Sequence, residues 1–134
     1  MRRTAGAFFV KDGRVLLARR AAHKETYPDC WDIVGGHVEP GETVEQALIR
    51  ETMEELGVTP LQFEAVGLFA EPLPERYGEA VHHFFRVTEW RGEPSLTDDE
   101  HTELRWFTLD EACTLEDLAI PEYRELFAIL LTRS

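Results

Sequence analysis

The stretch Gly35–Val58, GGHVEPGETVEQALIRETMEELGV, constrains this chain more than any other. Pro40-Gly41 marks a turn, and Thr43 with Gln46 three residues on makes a capping box. A helix is predicted to run to Leu56 and to stop at Gly57 in a left-handed conformation. At about 100° per residue, Glu54 and Glu55 fall about 60° and 40° to either side of Glu51. Val44, Ala47 and Leu48 share that sector, so the acids continue an apolar stripe. Ile49, Met53 and Leu56 form a second apolar stripe on the far side. The helix is therefore expected to pack on both sides, with three carboxylates facing inward at one end. Packed like charges are costly to desolvate unless a cation gathers them.

The rest of the chain reads as short strands, a short helix opening at Thr108 and a C-terminal helix. Ala5–Val10 and Val15–Arg20 are apolar or β-branched runs flanking Asp12-Gly13, a strong hairpin signal. Ala21–Cys30 is polar and aperiodic, a surface loop that suits a flap beside a site. Trp31–Val34 reads as a brief strand ending at Gly35-Gly36. Leu61–Phe69 reads as a strand, Pro72–Gly78 as a loop and Val81–Trp90 as the strongest strand. In that last strand His83, Phe85 and Val87 share one face, and His82, Phe84 and Arg86 the other. Ser95–Thr102 is an acidic loop, and Leu104–Phe107 a short strand. Thr108 with Glu111 is a second capping box, and Pro121 opens an amphipathic C-terminal helix. This order suggests an α/β fold, a mixed sheet with helices on both faces.

A chain of 134 residues with 43% apolar and 30% charged content suits a single domain over 1–134. The formal charge of −12 argues against a nucleic-acid backbone or an anionic membrane as partner. The apolar run after Met1-Arg2-Arg3 is too short for a signal peptide, and nothing approaches a membrane span. Cys30 and Cys113 match no metal or redox spacing. A soluble cytoplasmic protein with reduced thiols, monomeric or homodimeric, is expected.

Three glutamates on one helix face supply hard oxygen ligands, which suit Mg2+ or Mn2+ with substrate phosphate completing the shell. Such an ion neutralises a phosphate and activates water. Gly35-Gly36 lets the backbone come close, and Arg50 can hold a carboxylate through a bidentate pair. Residue chemistry alone thus reaches a divalent-metal site for a phosphorylated ligand. A Glu-rich helix with arginine partners is also a common solvated face, and the spacing of the whole stretch decides between the two.

Gly36, Glu42, Arg50, Glu51, Glu54, Glu55, Gly57 and Val58 stand at the spacing of the Nudix signature, and the stretch resembles that family. Thr52 occupies a usually aliphatic position, and Val34 a frequent proline position. TELRWFTLDEA near the C-terminus is also similar to the family. The resemblance implies a Nudix-type α/β/α sandwich and metal-dependent hydrolysis of a nucleoside diphosphate linked to another group. It implies that Glu54 and Glu55 are metal ligands and that Glu51 is a ligand or the base. Gly35 would add its carbonyl, Arg50 would orient the acids, and Glu42 would anchor the turn or join an outer metal. Asp98, Asp99, Glu100 and Glu103 lie where some members place a further acid. The small size looks like MutT-type enzymes acting on nucleoside triphosphates, with Gly36, Arg50, Trp31 and Phe85 as substrate contacts. Phe8 and Tyr27 are further stacking candidates. Pro74 and Tyr77 faintly suggest ADP-ribose or dinucleoside-polyphosphate hydrolases. A nucleotide-sensing module and an isoprenoid-diphosphate isomerase are the remaining alternatives, the latter from His23-Lys24.

Overall fold

The structure, a computed structural model, describes residues 1–132. Asp12 and Gly13 both take positive φ and join β1 (Arg2–Lys11) to β2 (Arg14–Arg20) in a tight hairpin. β1 organises the sheet. It pairs antiparallel with β2 at one end and with β4 (Val34–His37) along one edge. Along the other edge it pairs parallel with β6 (Ala80–Arg91). β5 (Thr59–Ala70) lies outside β6, while β3 (Trp31–Asp32) and β7 (His101–Thr108) flank β2. The sheet is mixed, as expected.

Strand pleating sorts the core into two halves. Phe8, Val10, Val15, Leu17 and Phe84 pack on one side with α3 (Leu109–Cys113) and α4 (Tyr123–Thr132), through Ala112, Tyr123, Phe127 and Leu130. Ala5, Ala7, Phe9, Leu16, Phe85 and Val87 pack on the other with α1 (Val44–Leu56), through Ala47, Leu48 and Leu56. Helices therefore cover both faces.

Both capping boxes form, on Thr43 and on Thr108, and Gly57 closes α1 at φ 70°. Several boundaries differ from expectation. The glycine pair lies inside β4 rather than in a turn, because both residues pair with β1 (Ala5↔Gly36, Gly6↔Gly35). Pro74–Tyr77 forms a one-turn helix, α2, since a proline suits its first turn. β7 begins at His101, inside the predicted acidic loop. α4 starts at Tyr123, two residues past Pro121. The second apolar stripe of α1 is not packed: Ile49 is 37% and Met53 47% exposed, and only Leu56 is buried. Thr52 fits its buried position because its hydroxyl donates to the Leu48 carbonyl.

Candidate active site

A cleft of about 250 Å³ opens beside β1, β4 and β6 and is bounded by the Ala21–Cys30 loop and the loop before β7. At one end stand the acids of α1. Glu55 is 5% exposed and accepts a hydrogen bond from the Gly35 amide at 3.1 Å. Glu51 is also largely covered. The two glycines are there for space. A Cβ on Gly36 would come inside 3.0 Å of the Glu51 carboxylate, and one on Gly35 would strike the Ala5 carbonyl and the Gly6 Cα.

Arg50 ties the motif into one unit. Its Nε and Nη2 grip both oxygens of Glu42, at 2.8 and 3.0 Å. Nη1 donates to Glu51 at 2.8 Å and to Glu54 at 3.3 Å, and Nη2 reaches the His37 carbonyl at 2.9 Å. The guanidinium holds Glu42 down at a pKa of about 2. Glu54 departs from expectation. Its side chain is 57% exposed, turned along Arg50, and it does not line the cleft. Of the three predicted inward acids, two point inward.

The sequence reading did not choose among the acids before β7; the fold distinguishes them. An α-helix ends with unpaired carbonyls that need donors. In α1 the Ser95 amide serves Leu56, the Thr97 amide serves Glu55 and the Thr97 hydroxyl serves Glu54. This pinning delivers Asp98 and Glu100 to Glu55, and carboxylate oxygens of the three lie within 4.8 Å of one another. Glu103 instead pairs in register with Arg19 on β2. Burial, then the nearby charges of Glu51, Glu100 and Asp98, push Glu55 up to about 9. Burial likewise raises Glu51. Crowded carboxylates with one amide donor form a hard-oxygen set that fits a divalent cation.

The cleft also carries cations and a polar far end that the sequence reading missed. Arg2, Arg20 and Lys24 line it, with Lys24 3.0 Å from Glu100. The Ala21–Cys30 loop is anchored rather than a free flap. Arg20 holds Thr26 twice, and buried Tyr27 donates its hydroxyl to buried Glu71. Glu71 also accepts from the Leu73 amide, and His82 bridges it to Thr4. Burial works against ionisation of Glu71, but the Tyr27, Leu73 and His82 hydrogen bonds outweigh it and hold the acid below its ordinary range. Asp32 accepts from the Tyr123 hydroxyl and the Ile33 amide, and burial raises its pKa. A lone acid inside an apolar strand, as Asp32 is, was the available signal.

Two predicted substrate contacts are corrected. Trp31 is 4% exposed and packs edge-on against Phe107, with Arg105 over its ring; Phe85 is 4% exposed and packs against Phe63. Neither lines the cleft, because the strand pleat turns both into the core. Phe8 is core as well, whereas Tyr27 and Phe84 reach the cleft.

A model of the NUDIX domain family matches residues 1–129. The chain belongs to the Nudix hydrolase family. It is 37% identical over 107 residues to the CTP pyrophosphohydrolase of Escherichia coli, covering 79% of this chain and 75% of that one. It is 37% identical over 89 residues to the 8-oxo-dGTP diphosphatase of Proteus vulgaris, covering 66% and 77%. The crystal structure of a MutT Nudix hydrolase from Burkholderia pseudomallei superposes with a TM-score of 0.84 at 29% identity, covering 98% of each chain. As a Nudix hydrolase, the chain is an enzyme acting on phosphorus-containing anhydrides. No helix among the described residues is long and apolar enough to cross a membrane.

Proposed function

We propose that this Nudix hydrolase cleaves the diphosphate bridge of nucleoside triphosphates, with Mg2+ or Mn2+ as cofactor. The observation that carries the reading is the convergence of Glu55, Asp98 and Glu100 at one end of a cleft also lined by Arg2, Arg20 and Lys24. Similarity to relatives named for CTP and 8-oxo-dGTP points to the same substrate class.

Glu55, Asp98 and Glu100 would hold the ion, with Glu51 beside them and the Gly35 carbonyl as a further ligand. A bound ion supplies charge neutralisation of the phosphate and a water of lowered pKa. Glu51 or a neighbouring acid would take the proton from a water attacking phosphorus, the bridging oxygen leaving with the departing phosphate. Glu54, on the rim, would serve an outer ion. Arg50 orients Glu51 and Glu54 and fixes the turn. Arg2, Arg20 and Lys24 receive the phosphate chain, and the far end takes the base.

The test is a panel of nucleoside triphosphates, ADP-ribose, a dinucleoside tetraphosphate and isopentenyl diphosphate, each with Mg2+ or Mn2+. Pyrophosphate or phosphate release from triphosphates is expected to exceed that from the rest. Substituting Glu55 or Glu100 by Gln should lower turnover by about 100-fold or more without unfolding. Near-normal metal-dependent turnover in both variants would overturn the assignment, and so would a nucleotide that binds and survives unchanged.

A further inference from the structure

Acceptors are prominent at the far end of the cleft. The hydroxyls of Tyr27 and Tyr123 are spent on Glu71 and Asp32. Both oxygens of Glu71 are engaged, Oε2 by Tyr27 and Leu73 and Oε1 by His82. An ionised carboxylate only accepts, so His82 turns an Nε2–H toward Glu71. In the tautomer with Nδ1 bare, the Thr4 hydroxyl, 2.7 Å away, donates to it. Thr4 Oγ1 is left with its lone pairs for the cleft.

Asp32 adds a second acceptor in its ionised form, which burial opposes and which Arg20, Tyr123 and the Ile33 amide favour. Oδ1 holds Tyr123 and Ile33, each at 2.8 Å. Among the described residues Oδ2 makes no hydrogen bond, and Arg20 Nη1 stands 4.0 Å away. Thr26 holds Arg20 through Nε and Nη2, which leaves Nη1 for the phosphate chain. Ile33 and Phe84 supply apolar walls for a flat ring.

We infer that this end reads the nucleobase through acceptors, Asp32 Oδ2 and Thr4 Oγ1, and so selects bases bearing an exocyclic amino group. The inference rests on the nucleotide reading above and narrows it to amino-bearing bases such as guanine and cytosine. An edge offering a carbonyl in place of the amino group would set lone pair against lone pair and leave half-buried acceptors unpaired. Asp32 and Thr4 are specificity-determining residues here, outside the acidic end.

GTP against ITP isolates the amino group, since the two differ in nothing else. CTP against UTP repeats the comparison on a pyrimidine. With Mg2+, kcat/KM is expected to favour the amino-bearing member of each pair by at least about tenfold, mostly through KM. Calorimetric binding of the four nucleotides with Ca2+ in place of Mg2+ should show the same preference. Asp32→Asn keeps Oδ1 for Tyr123 and Ile33 but turns Oδ2 into a donor, so it should collapse or invert both ratios, with the change carried by KM. Thr4→Val, which removes the other acceptor at equal volume, should reduce the ratios on its own.

Ratios near one in the wild type would overturn the inference. Ratios unchanged in both folded variants would do the same. Nucleotides bound with the amino preference but not hydrolysed would sink the proposed chemistry and leave this inference standing. Hydrolysis without the preference would sink the inference alone, and nucleotides that do not bind at all would sink both.

Discussion

Gly35 and Gly36 are neighbours with different jobs, and the difference can be measured. A methyl group on Gly36 meets only the end of the Glu51 side chain, which can swing away. One on Gly35 meets the backbone of Ala5 and Gly6, which cannot. Gly36→Ala is therefore expected to keep a near-native Tm while displacing Glu51 and lowering kcat/KM by roughly 10- to 100-fold. Gly35→Ala should instead lower the Tm, because it forces apart the β1–β4 ladder. Thermal unfolding and steady-state kinetics of the pair decide it; equal effects on both readouts would refute the separation. Glu42 supports a second residue-level prediction. Its folded pKa of about 2 lies below the ordinary 4.5, through the Arg50 pair and then the Glu39 amide. A depressed carboxylate adds stability above pH 4.5 and loses it as pH falls toward 2. Between about pH 6 and 3 the Tm of Glu42→Gln should fall less steeply than that of the wild type, and parallel curves would contradict the pairing.

At the level of elements, α1 was readable almost to the residue, because its caps are local chemistry. Thr43, Gln46 and Gly57 act within a turn of where they stand. Its facing was less readable. Helical periodicity placed Glu54 with Glu51 and Glu55, but a long side chain can be drawn along the surface, and Arg50 draws it outward. Periodicity also grouped Ile49 and Met53 into a packed stripe, although both side chains are exposed. The acids before β7 could be ranked only by contacts remote in sequence, the three hydrogen bonds that seat Ser95 and Thr97 on the end of α1. These bonds make a prediction of their own. Thr97→Val removes the hydroxyl donor to Glu54 without changing side-chain volume. Asp98 and Glu100 should then lose their fixed approach to Glu55, weakening Mn2+ binding about tenfold. Titration of Mn2+ by electron paramagnetic resonance checks this, and unchanged affinity with a native circular dichroism spectrum would show that the pinning is dispensable.

For the whole molecule, β1 is the shared wall of two cores, and its alternating residues explain where the sequence reading of the aromatics failed. Phe8 and Phe9 point to opposite sides, yet both are fully buried, so alternation distinguishes faces without saying which face holds a ligand. Trp31 and Phe85 were misplaced for this reason, whereas the cleft is built from polar side chains of β1, β3, β6 and two loops that meet only in the folded chain. The same architecture bears on cooperativity. Leu48 belongs to the α1 side and Phe127 to the α4 side, with β1 between them. If both cores rest on one strand, neither half can melt while the other stays folded. Leu48→Ala is expected to cost about 2–5 kcal/mol and Phe127→Ala about 3–5 kcal/mol. Each should shift one shared transition, and the double variant should show roughly the sum, to within about 0.5 kcal/mol, since the sites lie in separate clusters. Urea unfolding followed by far-ultraviolet circular dichroism and by tryptophan fluorescence provides two probes of the same event. Coincident curves in all variants would support folding of the chain as one domain, while a transition that splits in either single variant would show that the two faces melt separately.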